Sequence, residues 1–490
     1  MNEVLINKDE MILSDHGMCS DNNNMLNNIS ENNVVVLSKT KIQHNSSQKN
    51  KLYGRRWYIL SIFACLACMQ SAMWNFYSPI SSVIVYMHDG RHDENPWTVD
   101  TVEWFENVAG ISFILSVAFW AAILDTKGAR FTVCLSSILL LCCGISRMIF
   151  FNTSKNSTEE KIIVLSMIFN GLAGAPIGLA PPIISNNWFP AHERTLATAI
   201  STSANYLGQA VGFIWGPLAL PLKTNITSTN SSKVYIKESR EKLYILYQTQ
   251  CLICLVICLC VLIYFPTAAP SVPSESAKKI KTEFSTGLVK LFKHGPFLRI
   301  AVAFGVPLGW FSGWTASIRI CLAHLGIGQT ESAFIGTSSI FAGCLVAVLV
   351  SQLSEYITGK FSIIIMSMYA GATFFFLWFA LMYQNWLPIS TISVYACCIC
   401  GSALMNGTIP LFYELAIETV FPVAEGSTCG FLILLQNLLQ SIFLFVPVNR
   451  FGVSWMVWSL WMLIFLFTIP LAIGFNEEHR RRKVDNWNHN

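Results

Sequence analysis

Apolar stretches long enough to cross a lipid bilayer recur about twelve times along this chain, and no other feature restricts its fold as severely. A helix rises 1.5 Å per residue, so ~20 residues cover ~30 Å of hydrocarbon. Runs of that order fall at about 57–87, 102–124, 131–150, 162–185, 195–218 and 244–265, then at about 297–320, 332–352, 362–383, 389–411, 427–448 and 454–475. Hydrocarbon offers no water to backbone N–H and C=O groups, so each run must satisfy them internally as a helix. An all-α polytopic membrane protein of ~12 spans is expected. The chain is 53% hydrophobic and 12% charged, a balance that soluble domains rarely reach. A net charge of +4, spread over 490 residues, leaves no electrostatic footprint for nucleic acid. The first fifty residues carry eleven Asn and few aromatics, the composition of a tail without a packed core. The first apolar run begins only near Trp57, so no cleavable signal peptide is expected and the first span serves as its own insertion signal.

Charge next orients the spans. Lys51, Arg55 and Arg56 precede span one, Lys127 and Arg130 follow span two, and Arg480 to Lys483 follow span twelve. By the bias of Lys and Arg toward the cytosol, both termini are expected there. The 266–296 connection, with Lys278, Lys279, Lys281, Lys290 and Lys293, falls on the same side. The 219–243 loop dissents, being basic yet assigned to the far side. Glycosylation sequons at Asn152, Asn156, Asn225 and Asn230 all fall in far-side loops and support the assignment.

Two stretches recur about 230 residues apart. Asp125 to Phe131 (DTKGARF) follows span two and Glu355 to Phe361 (EYITGKF) follows span eight. Trp188 to Arg194 (WFPAHER) precedes span five and Val420 to Gly426 (VFPVAEG) precedes span eleven. A six-plus-six duplication is expected, with a cytosolic tail at 1–54, an N-terminal six-helix bundle at 55–265, a linker at 266–296, a C-terminal six-helix bundle at 297–475 and a cytosolic tail at 476–490. Halves of this kind hold a solute near the midplane and expose it to each side in turn.

DTKGARF resembles the loop motif between spans two and three of the major facilitator superfamily, with Asp125 and Arg130 as gating residues. Arg55-Arg-Trp57, Trp74 to Ile80 (WNFYSPI), Ala180-Pro-Pro182, Trp188-Phe-Pro190, Asn205 to Gly208 (NYLG) and Pro307 to Trp314 (PLGWFSGW) together resemble one branch of that superfamily. It is the branch of the feline leukaemia virus subgroup C receptors and disrupted in renal carcinoma protein 2, and the second is the nearer likeness. The resemblance runs from about Arg55 to Leu439. It implies a solute transporter of lysosomal or other endomembranes, moving pyridoxine with protons; the viral-receptor branch implies choline, ethanolamine or haem instead.

Candidate solute-binding residues are few. On an unbroken helix Gln70, Trp74 and Tyr77 share a face, able to stack on a flat ring or hold a quaternary ammonium by cation–π attraction. The resemblance places the tryptophan of this helix in the choline site. Span five offers Tyr206, where the viral-receptor branch has a glutamine, and span seven offers Trp310 and Trp314, four residues apart on one face. Span eleven offers Gln436 and Asn437. Each of these residues has a plain alternative role in helix packing. For coupling, Glu414 and Glu418 lie one turn apart in span ten, and two carboxylates sharing a dry face repel until one binds a proton; the alternative is a structural pair at the cytosolic edge. Arg147 and Arg319 lie near outer ends of spans and can snorkel. Glu103 and Glu106 read as solvated residues at the outer mouth of span two.

The Cys65/Cys68 and Cys251/Cys254 pairs have C-x-x-C spacing but no partner His or second pair nearby, so no metal or cofactor is expected. No Walker loop, nucleophile elbow or His cluster points to an enzyme. The expected partners are a small organic solute, protons and the lipid bilayer, and a monomer is expected. The imperfect acidic dileucine stretch Asp9 to Leu13 leaves lysosome or endomembrane favoured over plasma membrane. From another class, a receptor or scaffold that moves nothing remains the alternative.

Overall fold

The computed structural model describes residues 53–89, 97–150, 156–220, 229–271, 273–278, 281–282, 284–356, 360–446, 452–473 and 480–486. Every regular element among them is helical. Nine helical stretches are long and apolar enough to cross a membrane. One of these, Asp100–Met148, is 49 residues long and breaks at Gly128, whose φ of 80° ends one helix and starts the next. It therefore supplies spans two and three. Span five is Arg194–Ala219 and span twelve is Ser454–Ile473, which completes twelve crossings.

Span one departs from the unbroken helix. It runs helically from Arg55 to Trp74, leaves the helix at Asn75, makes a short 3-10 turn over Ser78–Ile80 and resumes as Ser81–Asp89. Pro79 in that turn brings no backbone donor and disfavours helical torsion at Ser78 before it. Span six also differs. Most of the basic loop that reads as 219–243 is the first part of the helix Thr229–Ile263. Its charges alternate with acids, Lys242 lying 2.8 Å from Glu238 and Arg240 3.5 Å from Glu159. Interleaved acids of this kind explain why the stretch looks basic when only Lys and Arg are counted.

The apolar clusters draw mainly on spans one to six, the first helix group, or on spans seven to twelve, the second. Glycine seams hold a pair of spans together in each. A Cβ added to Gly208 of span five would lie 2.0 Å from the Cys68 carbonyl oxygen, and one on Gly212 would lie 2.7 Å from that of Ala72. Gly305, Gly309 and Gly313 of span seven press in the same way on Leu435, Gln436, Leu439 and Phe443 of span eleven. Lipid tails are as apolar as the side chains, so close van der Waals approach through small residues replaces the hydrophobic drive used in water. Around the seams lie apolar clusters, one of them built on Phe63, Leu66, Trp188 and Phe265 in the first group. A larger cluster fills the second group around Phe304, Trp314, Tyr369 and Phe412 and reaches across to Val117, Ala121 and Leu124.

Gly208→Val should therefore collapse the yield of folded, monodisperse protein, because backbone cannot move aside as a side chain can. Gly336→Ala, at a helical position with nothing within 4 Å of the added Cβ, should leave thermal stability unchanged or raise it by about 0.5–1 kcal/mol. Fluorescence-detected size exclusion after heating measures both.

Candidate functional site

Two regions join the helix groups, a charged end and a small hollow between spans five, eight and ten. At the charged end, Asp125 leaves span two and reaches the first turn of the helix Glu425–Phe445, which is span eleven. Its carboxylate accepts from the backbone N–H of Gly426 at 3.0 Å and of Ser427 at 2.9 Å, and from the Ser427 hydroxyl. The first N–H groups of a helix have no partner of their own and carry the positive end of its dipole, so a carboxylate suits them. Only glycine fits at position 426, since a Cβ there would stand 2.4 Å from Asp125 Oδ1. Arg130 does not share this contact. It is exposed at the start of span three, and the expected Asp125/Arg130 gate gives way to Asp125 and the N-terminus of span eleven.

A second buried network lies beside it. Asn186 of span four donates to Glu425 at 3.0 Å, and Glu425 pairs with Lys281. Through its Oδ1, Asn186 accepts from Arg481 at 2.9 Å. Arg481 belongs to the short helix Arg480–Asn486 after span twelve, is 1% exposed, and reaches Glu414 at 3.4 Å. The backbone N–H groups of Arg481 and Arg482 both donate to Glu418 at 3.1 Å. Burial alone would lower the affinity of the Arg481 guanidinium for its proton, but Glu414, Glu425, Glu418 and Asp485 around it hold that affinity above the ordinary arginine value. Asp485 in turn binds Arg194 at 3.1 Å and the Ser276 N–H at 2.7 Å. Glu414 and Glu418 thus do not stand as a lone repelling pair; the tail supplies their counter-charge. Nothing in the sequence of Arg480 to Lys483 distinguishes a folded-back tail from a run of solvated positive charge.

The hollow is assembled from both groups. Trp74 is partly exposed, meets Phe113 edge-on with ring centroids 6.0 Å apart, and overlies Gly110 of span two. Across from the first group, Gln436 and Asn437 are also partly exposed. Gln436 donates to Ser312 at 3.3 Å and is a hydrogen-bond partner of the Tyr206 hydroxyl, while Asn437 donates to the Ile433 carbonyl at 2.8 Å. Tyr206 lines the hollow between spans five, eight and ten with Thr202, Ser203, Gly343, Cys344 and Asn406.

Other expected binding residues lie elsewhere. Gln70 is 3% exposed and bound to Asn170 at 2.8 Å and to Asn205 at 3.4 Å, which ties spans one, four and five. Tyr77 is fully buried because the chain leaves the helix between it and Trp74; its hydroxyl meets that of Tyr247 at 3.1 Å. Trp310 and Trp314 share a helical side, but that side faces away from the first group. Trp310 donates to Ser459 of span twelve at 2.8 Å, and Trp314 packs on Phe376 and Phe379. Asn152 and Asn225 lie outside the described residues. Asn156 and Asn230 fall in the first turns of the helices Asn156–Leu179 and Thr229–Ile263.

The break in span one is served by two charges that sequence reading left at the membrane edge. Arg147 is 2% exposed and donates to the Met73 carbonyl at 3.1 Å, a group orphaned where the helix stops. It also donates to Ser166 and Gln250, both at 3.3 Å, and lies 4.9 Å from the centre of the Tyr77 ring. Glu106 accepts from the Ser78 N–H at 2.8 Å where the chain begins to coil again. At the opposite end from the latch, Glu103 and Arg319 link the groups at 4.0 Å, both about half exposed. Such a pair adds little stability.

A model of the Major Facilitator Superfamily matches residues 60–444. The chain belongs to that superfamily. Within it, the chain is 30% identical over 442 residues to the solute carrier family 49 member 4 homolog of Xenopus tropicalis, covering 89% of this chain and 94% of that protein. It is 22% identical to the choline/ethanolamine transporter flvcr2a of Danio rerio, covering 93% of each. This major facilitator is thus a transporter of solute carrier family 49. Among solved structures, the human organic anion transporter MFSD10 superposes with a TM-score of 0.63 at 12% identity, covering 86% of this chain and 100% of that one. The outward conformation of the Escherichia coli fucose transporter FucP superposes with a TM-score of 0.60 at 13% identity, covering 83% and 98%. These two likenesses concern the fold alone.

Asp125→Ala, which removes the acceptor of the Gly426 and Ser427 N–H groups, should loosen the first turn of span eleven. Cys429, 0% exposed one turn into that helix, should then react with maleimide several-fold faster than in the unsubstituted protein, as read by mass shift against a Cys429→Ser control.

Proposed function

We propose that this chain is a secondary active transporter that carries a small organic solute together with protons, the two helix groups rocking about the hollow between them. The observation that carries the reading is the hydrogen bond between Tyr206 of the first group and Gln436 of the second, across the group boundary and in a protein closed at one end by buried charge. Aromatic and amide groups suit a neutral or weakly basic ring, whereas a phosphorylated solute would want Arg or Lys at the site. A pyridoxine-like vitamin is the first substrate. Choline or ethanolamine is the second, favoured by the name of the zebrafish relative and by Trp74, whose exposed ring can take a quaternary ammonium. Haem is a third solute to test.

The two groups correspond to duplicated halves at 55–265 and 297–475, joined by 266–296. Both termini face the cytosol and the far end faces a lysosomal or other endomembrane lumen, the plasma membrane being the alternative. Proton coupling accounts for carboxylates kept inside the helical body, which are costly there without a task. In this reading the latch, with Glu414 and Glu418 neutralised by the tail, belongs to the state closed toward the cytosol. The working unit is a monomer.

Flux of labelled pyridoxine, choline and haem into vesicles carrying the full chain, with and without an imposed pH gradient, tests the reading. Trp74→Ala should cut flux of the carried solute at least ~10-fold, the loss of about 1.4 kcal/mol or more that one good aromatic contact supplies. Trp310→Phe, which removes a hydrogen bond to span twelve, should change flux little. Unchanged flux in Trp74→Ala would leave the receptor or scaffold alternative standing.

A further inference from the structure

Among the described residues, six carboxylates within the helical body are candidates for exchanging a proton, and five are occupied. Asp125 accepts two backbone N–H groups and a hydroxyl, and Glu425 has Lys281 and Asn186. Glu414 has Arg481, and Glu418 has the backbone of Arg481 and Arg482 with the Arg482 guanidinium at 4.0 Å. Glu159 is 6% exposed and holds His88 at 2.8 Å and Arg240 at 3.5 Å, with Trp97 stacked on the imidazole at 4.0 Å. Glu106 differs from the four that hold a cation. Its hydrogen-bond partners are backbone N–H groups at the break in span one, that of Ser78 at 2.8 Å and that of Tyr77 beside it.

Two charges flank that break and they are not equivalent. Arg147, on the carbonyl side, is enclosed by span one, span four, span six and the Tyr77 ring. Glu106, on the N–H side, is partly exposed although it lies within the first group. It stands one helical turn before Gly110, the residue over which the Trp74 ring lies. The charged neighbours that face it are Glu103, one turn earlier on the same helix, and Arg147 of span three; Tyr77 and Tyr247 complete its surroundings. Of the two charges only Glu106 is partly exposed.

We propose that Glu106 is the residue whose protonation drives this transporter, acting through the break in span one that carries Trp74. The inference rests on the transport reading above and assigns its proton site. A proton from water binds the carboxylate and forms its O–H bond, and the charge-assisted bond from Ser78 becomes an ordinary one about half as strong. The interaction of Arg147 with the ionised carboxylate is lost at the same moment. Trp74, four residues before Ser78, shifts with the limb it belongs to, so proton and solute act on one hinge.

Full-length protein in proteoliposomes tests this with labelled choline and labelled pyridoxine as probes, gradient-driven uptake and gradient-free counterflow being measured side by side. The expected result is stimulation of the unsubstituted protein by an acid gradient, loss of that stimulation in Glu106→Gln with counterflow near the original rate, and partial stimulation in Glu106→Asp. Stimulation surviving in Glu106→Gln overturns the proposal, and so does parallel loss of stimulation and counterflow, which marks a merely structural residue. Counterflow in the unsubstituted protein without any gradient effect overturns it too while sparing transport. Absence of both fluxes for both probes sinks the transport reading and this inference with it.

Discussion

A helix that stops inside hydrocarbon leaves carbonyls behind it and N–H groups ahead of it with no water to take them, and each costs several kcal/mol if unmet. Span one stops in this way after Trp74, and much of the first group is organised around meeting that demand. Asn75 turns its own amide back to the Ser71 carbonyl at 2.9 Å. Arg147 takes the Met73 carbonyl and is itself costly to bury, so Ser166, Gln250 and the faces of Tyr77 and Met167 gather round it. Glu106 meets the far side of the gap. A cation where a helix ends and an anion where one begins also suit the dipoles of the two limbs.

The same accounting explains why the two ends of the molecule differ. At the charged end, Asn186, Glu425, Lys281, Glu414 and Arg481 are linked in one buried network, with Asp125 beside it on the first turn of span eleven. Buried charge of this kind is strongly destabilising when half of it is removed, even where the intact pair contributes little net stability. It therefore behaves as an all-or-none clasp. The opposite end has the half-exposed Glu103–Arg319 pair, which water screens.

The spans were legible in the sequence because a bilayer demands length and apolarity from each one, and Asp125 was legible because its motif is short, charged and repeated. Trp74 came from resemblance and not from spacing. Tyr77 was misplaced because three-residue spacing implies a shared face only on a continuous helix; Ser78-Pro79 was the available sign of discontinuity. Trp310 and Trp314 do share a side, but periodicity cannot say which neighbour a side meets. Arg147 and Arg481 were hidden for another reason. A lone arginine near a span end reads as a headgroup contact and a basic tail reads as a topology signal, and only packing reveals that each is enclosed.

The glycine seam of span five carries a mechanical consequence. Gly208 and Gly212 touch backbone of span one before the break, and Gly216 meets Ile80 beyond it, so span five lies along the joint as a splint lies along a fracture. Bending at Asn75 cannot then be a private motion of span one. Either the splint bends too, or one contact slides, and Tyr206, half a turn from Gly208, is carried along. The two aromatic walls of the hollow are geared together by residues that have no side chains at all.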